Sequence, residues 1–118
     1  MKRVLDELVS AEGAQLALVA TQEGVILAHA GAAGDDPERL GALASRFLSV
    51  ARRGFARIGQ GRPMRARLRG SEGELHLADL DEVFLAVLIR SESPVSELEM
   101  AIEQGLDQLR KVTHPTTV

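Results

Sequence analysis

Arg39, Arg46, Arg53 and Arg57 follow one another at intervals of seven, seven and four residues, a spacing that gathers four guanidinium groups on one side of a helix. Aligned guanidiniums grip carboxylates and phosphates through paired N–H donors, so the chemistry they offer is recognition of an anionic surface. They belong to a longer basic tract. Between Arg39 and Arg69 lie nine of the fourteen basic residues (these four with Arg52, Arg62, Arg65, Arg67 and Arg69) and no acid, a formal +9. The remainder holds five bases against all 17 acids, or −12. A near-neutral chain is thus polarised along its sequence. Such asymmetry points to a partner or to self-association rather than to a fold, the bland alternative being a solvated basic helix.

Catalytic chemistry is hard to assemble from the other residues. His29 and His76 are read as exposed mid-strand histidines and His114 lies in the tail; none has the His-x-x-x-His or His-x-Glu spacing that holds zinc. Gly59-Gln60-Gly61 lacks the third glycine of a dinucleotide loop and the Gly-Lys-Ser/Thr of a phosphate loop, and reads as a helix stop. Ser45 and Ser49 sit on a helix with no histidine near them in sequence, and Asp81-Glu82 falls in a turn. With no cysteine, disulfides and thiolate sites are excluded. No enzyme, cofactor or metal is expected.

The elements that would position the arginines follow from periodicity in a single domain of 118 residues. Val4, Leu5, Leu8 and Val9 mark a helix over Lys2–Glu12. Ala14–Ala20 and Val25–Ala30 are short apolar runs joined by a turn at Gly24, a hairpin. Asp36-Pro37 supplies an N-cap and a first-turn proline for a second helix of about 22 residues, ending at Gly59. Pro63–Arg69 alternates, with Met64, Ala66 and Leu68 on one side and Arg65, Arg67 and Arg69 on the other. Glu74–Leu80 also alternates, Leu75 and Leu77 pointing inward; a four-residue turn would set Glu74 opposite Arg69. Val83–Ile89 is apolar on both faces and reads as a central strand. Ser93-Pro94 opens a last helix carrying Val95, Leu98, Ile102, Leu106, Leu109 and Val112, and residues 113–118 should fray.

On the second helix the apolar stripe Leu40, Leu43, Ala44, Phe47, Val50, Ala51, Phe55 and Ile58 is expected to face the sheet, and all three phenylalanines to be internal. The opposite side carries Ala42, Ser45, Ser49 and Ala56, flanked by Gly41, Leu48 and Arg52; this strip of small residues beside one exposed leucine suits a closely packed second helix. At roughly 33 Å the helix is long enough to cross five strands. It would then leave the arginine strand at an edge, where charge either protects the strand or lines a junction with another copy.

The element order, the Gly24-Val25 turn, the Asp36-Pro37 opening of a long alanine- and arginine-rich helix, and the Gly70-Ser71-Glu72-Gly73 hairpin together resemble the Roadblock family, which includes roadblock-type dynein light chains and bacterial MglB-like regulators. The resemblance covers about residues 2 to 112. It implies an α+β fold, α-β-β-α-β-β-β-α, whose five-stranded antiparallel sheet has the order 2-1-5-4-3, with helices 1 and 3 on one face and helix 2 on the other. It also implies a homodimer joined through the second helices and third strands. The contact residues would then be Gly41, Ala42, Ser45, Leu48, Ser49, Arg52, Ala56, Met64, Arg65, Ala66 and Arg67. The implied partner is a Ras-like, MglA-like small GTPase, met by the ridge Arg39, Arg46, Arg53 and Arg57.

The leading expectation is therefore a non-enzymatic homodimer regulating a small GTPase. The alternative is a general dimeric scaffold whose arginine patch binds an acidic protein, nucleic acid or an anionic surface. Nucleic acid is disfavoured by the scarcity of exposed aromatics and a pI of about 5.6. The absence of a long apolar segment and of a signal-like N-terminus leads to the expectation of a cytoplasmic protein with no membrane insertion.

Overall fold

The hydrophobic periods become elements close to their expected limits. The computed structural model describes residues 1–12, 14–31, 36–90 and 95–113. Its order is α1 (Lys2–Glu12), β1 (Leu16–Thr21), β2 (Ile26–Gly31), α2 (Pro37–Arg57), β3 (Arg65–Arg69), β4 (Gly73–Asp79), β5 (Val83–Arg90) and α3 (Val95–Thr113). The strands form one antiparallel sheet in the order β2-β1-β5-β4-β3. The loop at 32–35, the Ser93-Pro94 opening of α3 and the tail beyond Thr113 lie outside the described residues.

Each turn has a local cause. Gly24 closes the first hairpin with φ of +95°, and Asp81 closes the β4–β5 turn at φ of 78° while its N–H donates to Asp79 Oδ1 at 2.8 Å. Asp36 caps α2 by accepting the Arg39 N–H at 3.1 Å, with Pro37 in the first turn. The helix stops where Gly59 and Gly61 take positive φ and the Gln60 N–H returns to the Phe55 carbonyl at 2.9 Å.

Two apolar layers sandwich the sheet. Leu5, Leu8, Val19, Val87, Ile102, Leu106 and Leu109 fill the layer beneath α1 and α3, while Leu16, Leu18, Leu40, Leu48, Leu77 and Phe84 fill the layer beneath α2. Full burial of each such side chain contributes about 1.5–3 kcal/mol. The main packing of α2 is on β1, β2 and β5, so it does not blanket the whole sheet as its length suggested.

Three sequence expectations need correction. First, α2 is rotated by roughly 70° from its apolar stripe: Leu40, Gly41, Ala44 and Leu48 are buried, while Leu43, Val50 and Ile58 are 59%, 56% and 65% exposed. The stripe is wider than the surface one sheet face can cover, and tight polar contacts choose which part is buried. A Cβ added at Gly41 would lie 2.6 Å from Ile26 Cδ1, and Ser45 Oγ donates to the Gln22 carbonyl. Second, Phe55 is exposed and Phe47 only partly buried, leaving Phe84 as the internal phenylalanine. Third, β4 is not a half-exposed strand: Glu74, His76 and Asp79 are buried, because each finds ionic or hydrogen-bonding partners.

Candidate interaction surface on the second helix and third strand

The nine arginines of the basic tract divide into two sets. Five are tied to carboxylates within the fold. Arg52 contacts Asp79 Oδ2 through Nε and Nη2 at 3.4 and 3.3 Å, and Arg62 Nε approaches the same oxygen at 3.4 Å while Nη1 pairs with Asp81. Arg65 pairs with Glu103 of α3, and Arg67 holds Glu74 through both its Nε and Nη2, at 3.1 and 3.0 Å. Arg69 Nε adds a contact to Glu74 at 3.5 Å. By contrast, the guanidiniums of Arg39, Arg46, Arg53 and Arg57 make no ion pair with any described residue, and all four are exposed.

Glu74 governs the β3 edge. It is 4% exposed and stands opposite Arg69 in the ladder, as the turn length led one to expect. Its carboxyl titrates below the usual value of 4.5, chiefly because it accepts hydrogen bonds from Arg67; burial opposes this, and His76, with Nε2 at 3.1 Å, adds to it. The arginine row is therefore offset by Glu74 and, through Arg65, by Glu103.

Sequence reasoning missed Asp79. Its carboxylate, 1% exposed, joins three separate elements: Gln22 Nε2 from the first hairpin at 2.9 Å, Arg52 from α2, and Arg62 from the segment entering β3. The one local signal was an acid at a strand end amid apolar neighbours; its partners come from 57, 27 and 17 positions away and could not be read locally.

The exposed surface beside the ridge is apolar. Leu43 and Val50 on α2 lie open, as do Met64, 54% exposed, and Leu68, 39% exposed, at the β3 edge. A groove of about 730 Å³ runs between the first half of α2 and the β3–β4 hairpin, floored by Leu16, Leu40, Leu68, Leu75 and Leu88 and rimmed by Asp36, Arg39 and Glu72. On the other flank of α2, Arg46 and Arg53 border a smaller groove of about 440 Å³ over Ala42, Ser45 and Ser49.

The residues expected at a helical junction are thereby separated. Ala42, Ser49 and Ala56 are exposed on α2, and Met64, Arg65 and Arg67 are exposed at the edge with Ala66 partly buried. Gly41 and Leu48, expected on the surface, are buried inside the protomer, while Ser45 and Arg52 are partly buried and bonded within it. Among the described residues no group of three or more His, Cys, Asp or Glu could hold a metal, and no helix is long and apolar enough to cross a membrane.

Comparison with known proteins places this geometry. A family model described as the Roadblock/LC7 domain matches residues 1–89. Two Methanocaldococcus jannaschii proteins titled as uncharacterised, MJ0310 and MJ1340, are 28% and 27% identical over 108 residues, covering 92% of this chain and 95% of each relative. Myxococcus xanthus MglB superposes with a TM-score of 0.90 at 18% identity, over 98% of this chain and 95% of its own. A Roadblock/LC7 domain from Streptomyces avermitilis gives 0.86 at 20%, over 96% and 97%. At these identities the likeness to the solved structures is one of fold.

Proposed function

The chain belongs to the Roadblock/LC7 family, and from that premise we propose that it is a non-enzymatic homodimer that binds and regulates a Ras-like small GTPase. The observation that carries this reading is the division of the arginines. Five neutralise acids inside the fold, whereas Arg39, Arg46, Arg53 and Arg57 form an exposed ridge whose guanidiniums have no ionic partner among the described residues. Exposed cations in a row, beside an apolar helix face, suit a protein partner with an acidic surface better than solvent alone.

The dimer half rests on the open apolar surface of α2 and the β3 edge. A solvated helix would carry charges where Leu43 and Val50 stand, and an edge strand presents unpaired backbone groups that a second copy can complete. Glu74 removes the electrostatic objection to joining two β3 strands, since each arginine row arrives already paired. The contact is drawn from Ala42, Ser49, Ala56, Met64, Arg65, Ala66 and Arg67 together with Leu43, Phe47 and Val50. Gly41, Leu48, Ser45 and Arg52 serve the protomer.

Two measurements test the reading. Light scattering at micromolar concentration should return twice the chain mass of 12.7 kDa; a monomer there overturns the dimer. Small GTPases encoded beside this protein, loaded with GDP or a GTP analogue, should co-purify with it or change their hydrolysis rate when it is added. No binding and no rate change for any of them overturns the GTPase as partner.

A further inference from the structure

Four of the residues that α2 leaves wholly or partly outside are spaced the same in both directions. Leu43, Phe47, Val50 and Gly54 follow at intervals of four, three and four, and at 100° per residue they fall within about 60° of one another. Leu43 and Val50 are more than half exposed and Phe47 is partly so. Gly54 is exposed, and a Cβ built on it meets no atom within 4 Å. Nothing inside the protomer therefore calls for glycine, which weakens a helix interior relative to alanine. Gly41 on the same helix is the opposite case, pressed against Ile26.

A second α2 laid antiparallel about a two-fold axis between Leu48 and Ser49 superposes this pattern on itself. Facing residue numbers then sum to 97: Leu43 meets the partner's Gly54, and Phe47 meets the partner's Val50. An isologous contact must be self-complementary, and a large side chain seated on a glycine lets two helices approach closely. Resting on the dimer proposed above, we infer that Leu43 docking on Gly54 of the partner subunit sets the register of that dimer. A further feature fits this register: the partner's Phe55 and Ile58, exposed in the isolated protomer, come level with Ala42 and Arg39, beside the groove floored by Leu68 and Leu75.

The chain has no cysteine, so the register can be read by cross-linking. The double variant Leu43→Cys/Gly54→Cys should form a disulfide-linked dimer under mild oxidation, while each single variant and Phe47→Cys/Gly54→Cys should not; within one helix, positions 43 and 54 are about 16 Å apart and cannot bridge. In parallel, Gly54→Leu should weaken the dimer by about tenfold or more. Leu43→Ala should weaken it too, and Leu43→Ala/Gly54→Leu should recover most of the loss, with circular dichroism confirming the helix in each. A cross-link in the Phe47→Cys/Gly54→Cys variant instead, or a dimer that neither cross-links at 43 and 54 nor responds to Gly54→Leu, overturns the register and leaves the dimer standing. A wild-type monomer at micromolar concentration overturns both.

Discussion

Glu74 and Asp79 are two buried carboxylates with different tasks, and each yields a measurable consequence. Glu74 accepts from Arg67 and His76, with Arg69 in ionic contact, and titrates below its usual value. A depressed carboxyl contributes stability above its unfolded pKa and loses that contribution as pH falls through the lower folded value. Glu74→Gln should therefore cost about 1–2 kcal/mol at neutral pH. Urea midpoints across a pH series should show the gap to wild type closing below about pH 4.3; a gap constant from pH 7 to pH 3 would contradict the ion-pair account. Asp79→Asn leaves Arg52 and Arg62 without their shared carboxylate and should cost about 2–3 kcal/mol by denaturant titration, the arginines being partly solvated. The Arg69–Glu74 pairing was legible because a hairpin turn sets register over a few residues. The Asp79 cluster was not, since its members meet only when three elements converge.

At the scale of the element, α2 shows what hydrophobic periodicity does and does not specify. Its limits were legible: Asp36-Pro37 and Gly59 are local devices acting on neighbouring backbone. Its rotation was not, because a helix with apolar residues over a wide arc can lie on a sheet in several ways. Ser45 to Gln22, Arg52 to Asp79 and the close fit of Gly41 against Ile26 select one of them. Truncations separate the two faces. Leu48→Ala removes a buried side chain, 2% exposed, and should cost about 2–4 kcal/mol. Leu43→Ala, on the exposed side, should leave protomer stability within about 0.5 kcal/mol while changing how the melting temperature depends on protein concentration. The reverse order, with Leu43→Ala the costlier of the two, would restore the orientation expected from sequence.

For the whole molecule, the basic tract is less an even positive field than a sorted one. Its paired members hold β3 and α2 in place, and its exposed members stand where a partner can reach them. Reversing Arg46 and Arg53 together to glutamate should leave the fold and the dimer intact by circular dichroism and light scattering. It should lower affinity for the GTPase partner proposed above by about tenfold or more, and the wild-type association rate should fall as salt rises. A double variant that binds as well as wild type would show that the ridge is a solvated surface.

What the sequence by itself determined is whatever depends on near neighbours: element order and limits, the turns, the central place of the fifth strand, the Glu74 register, and the pattern that resembles the Roadblock family, which carried the strand order with it. Only the tertiary structure decided which side of α2 is core, that His76 and Asp79 are buried, and which arginines are already partnered. The physical reason is the range of the interactions. Periodicity and turn chemistry act over a few residues, whereas burial of a charge and rotation of a helix depend on groups brought together from distant parts of the chain.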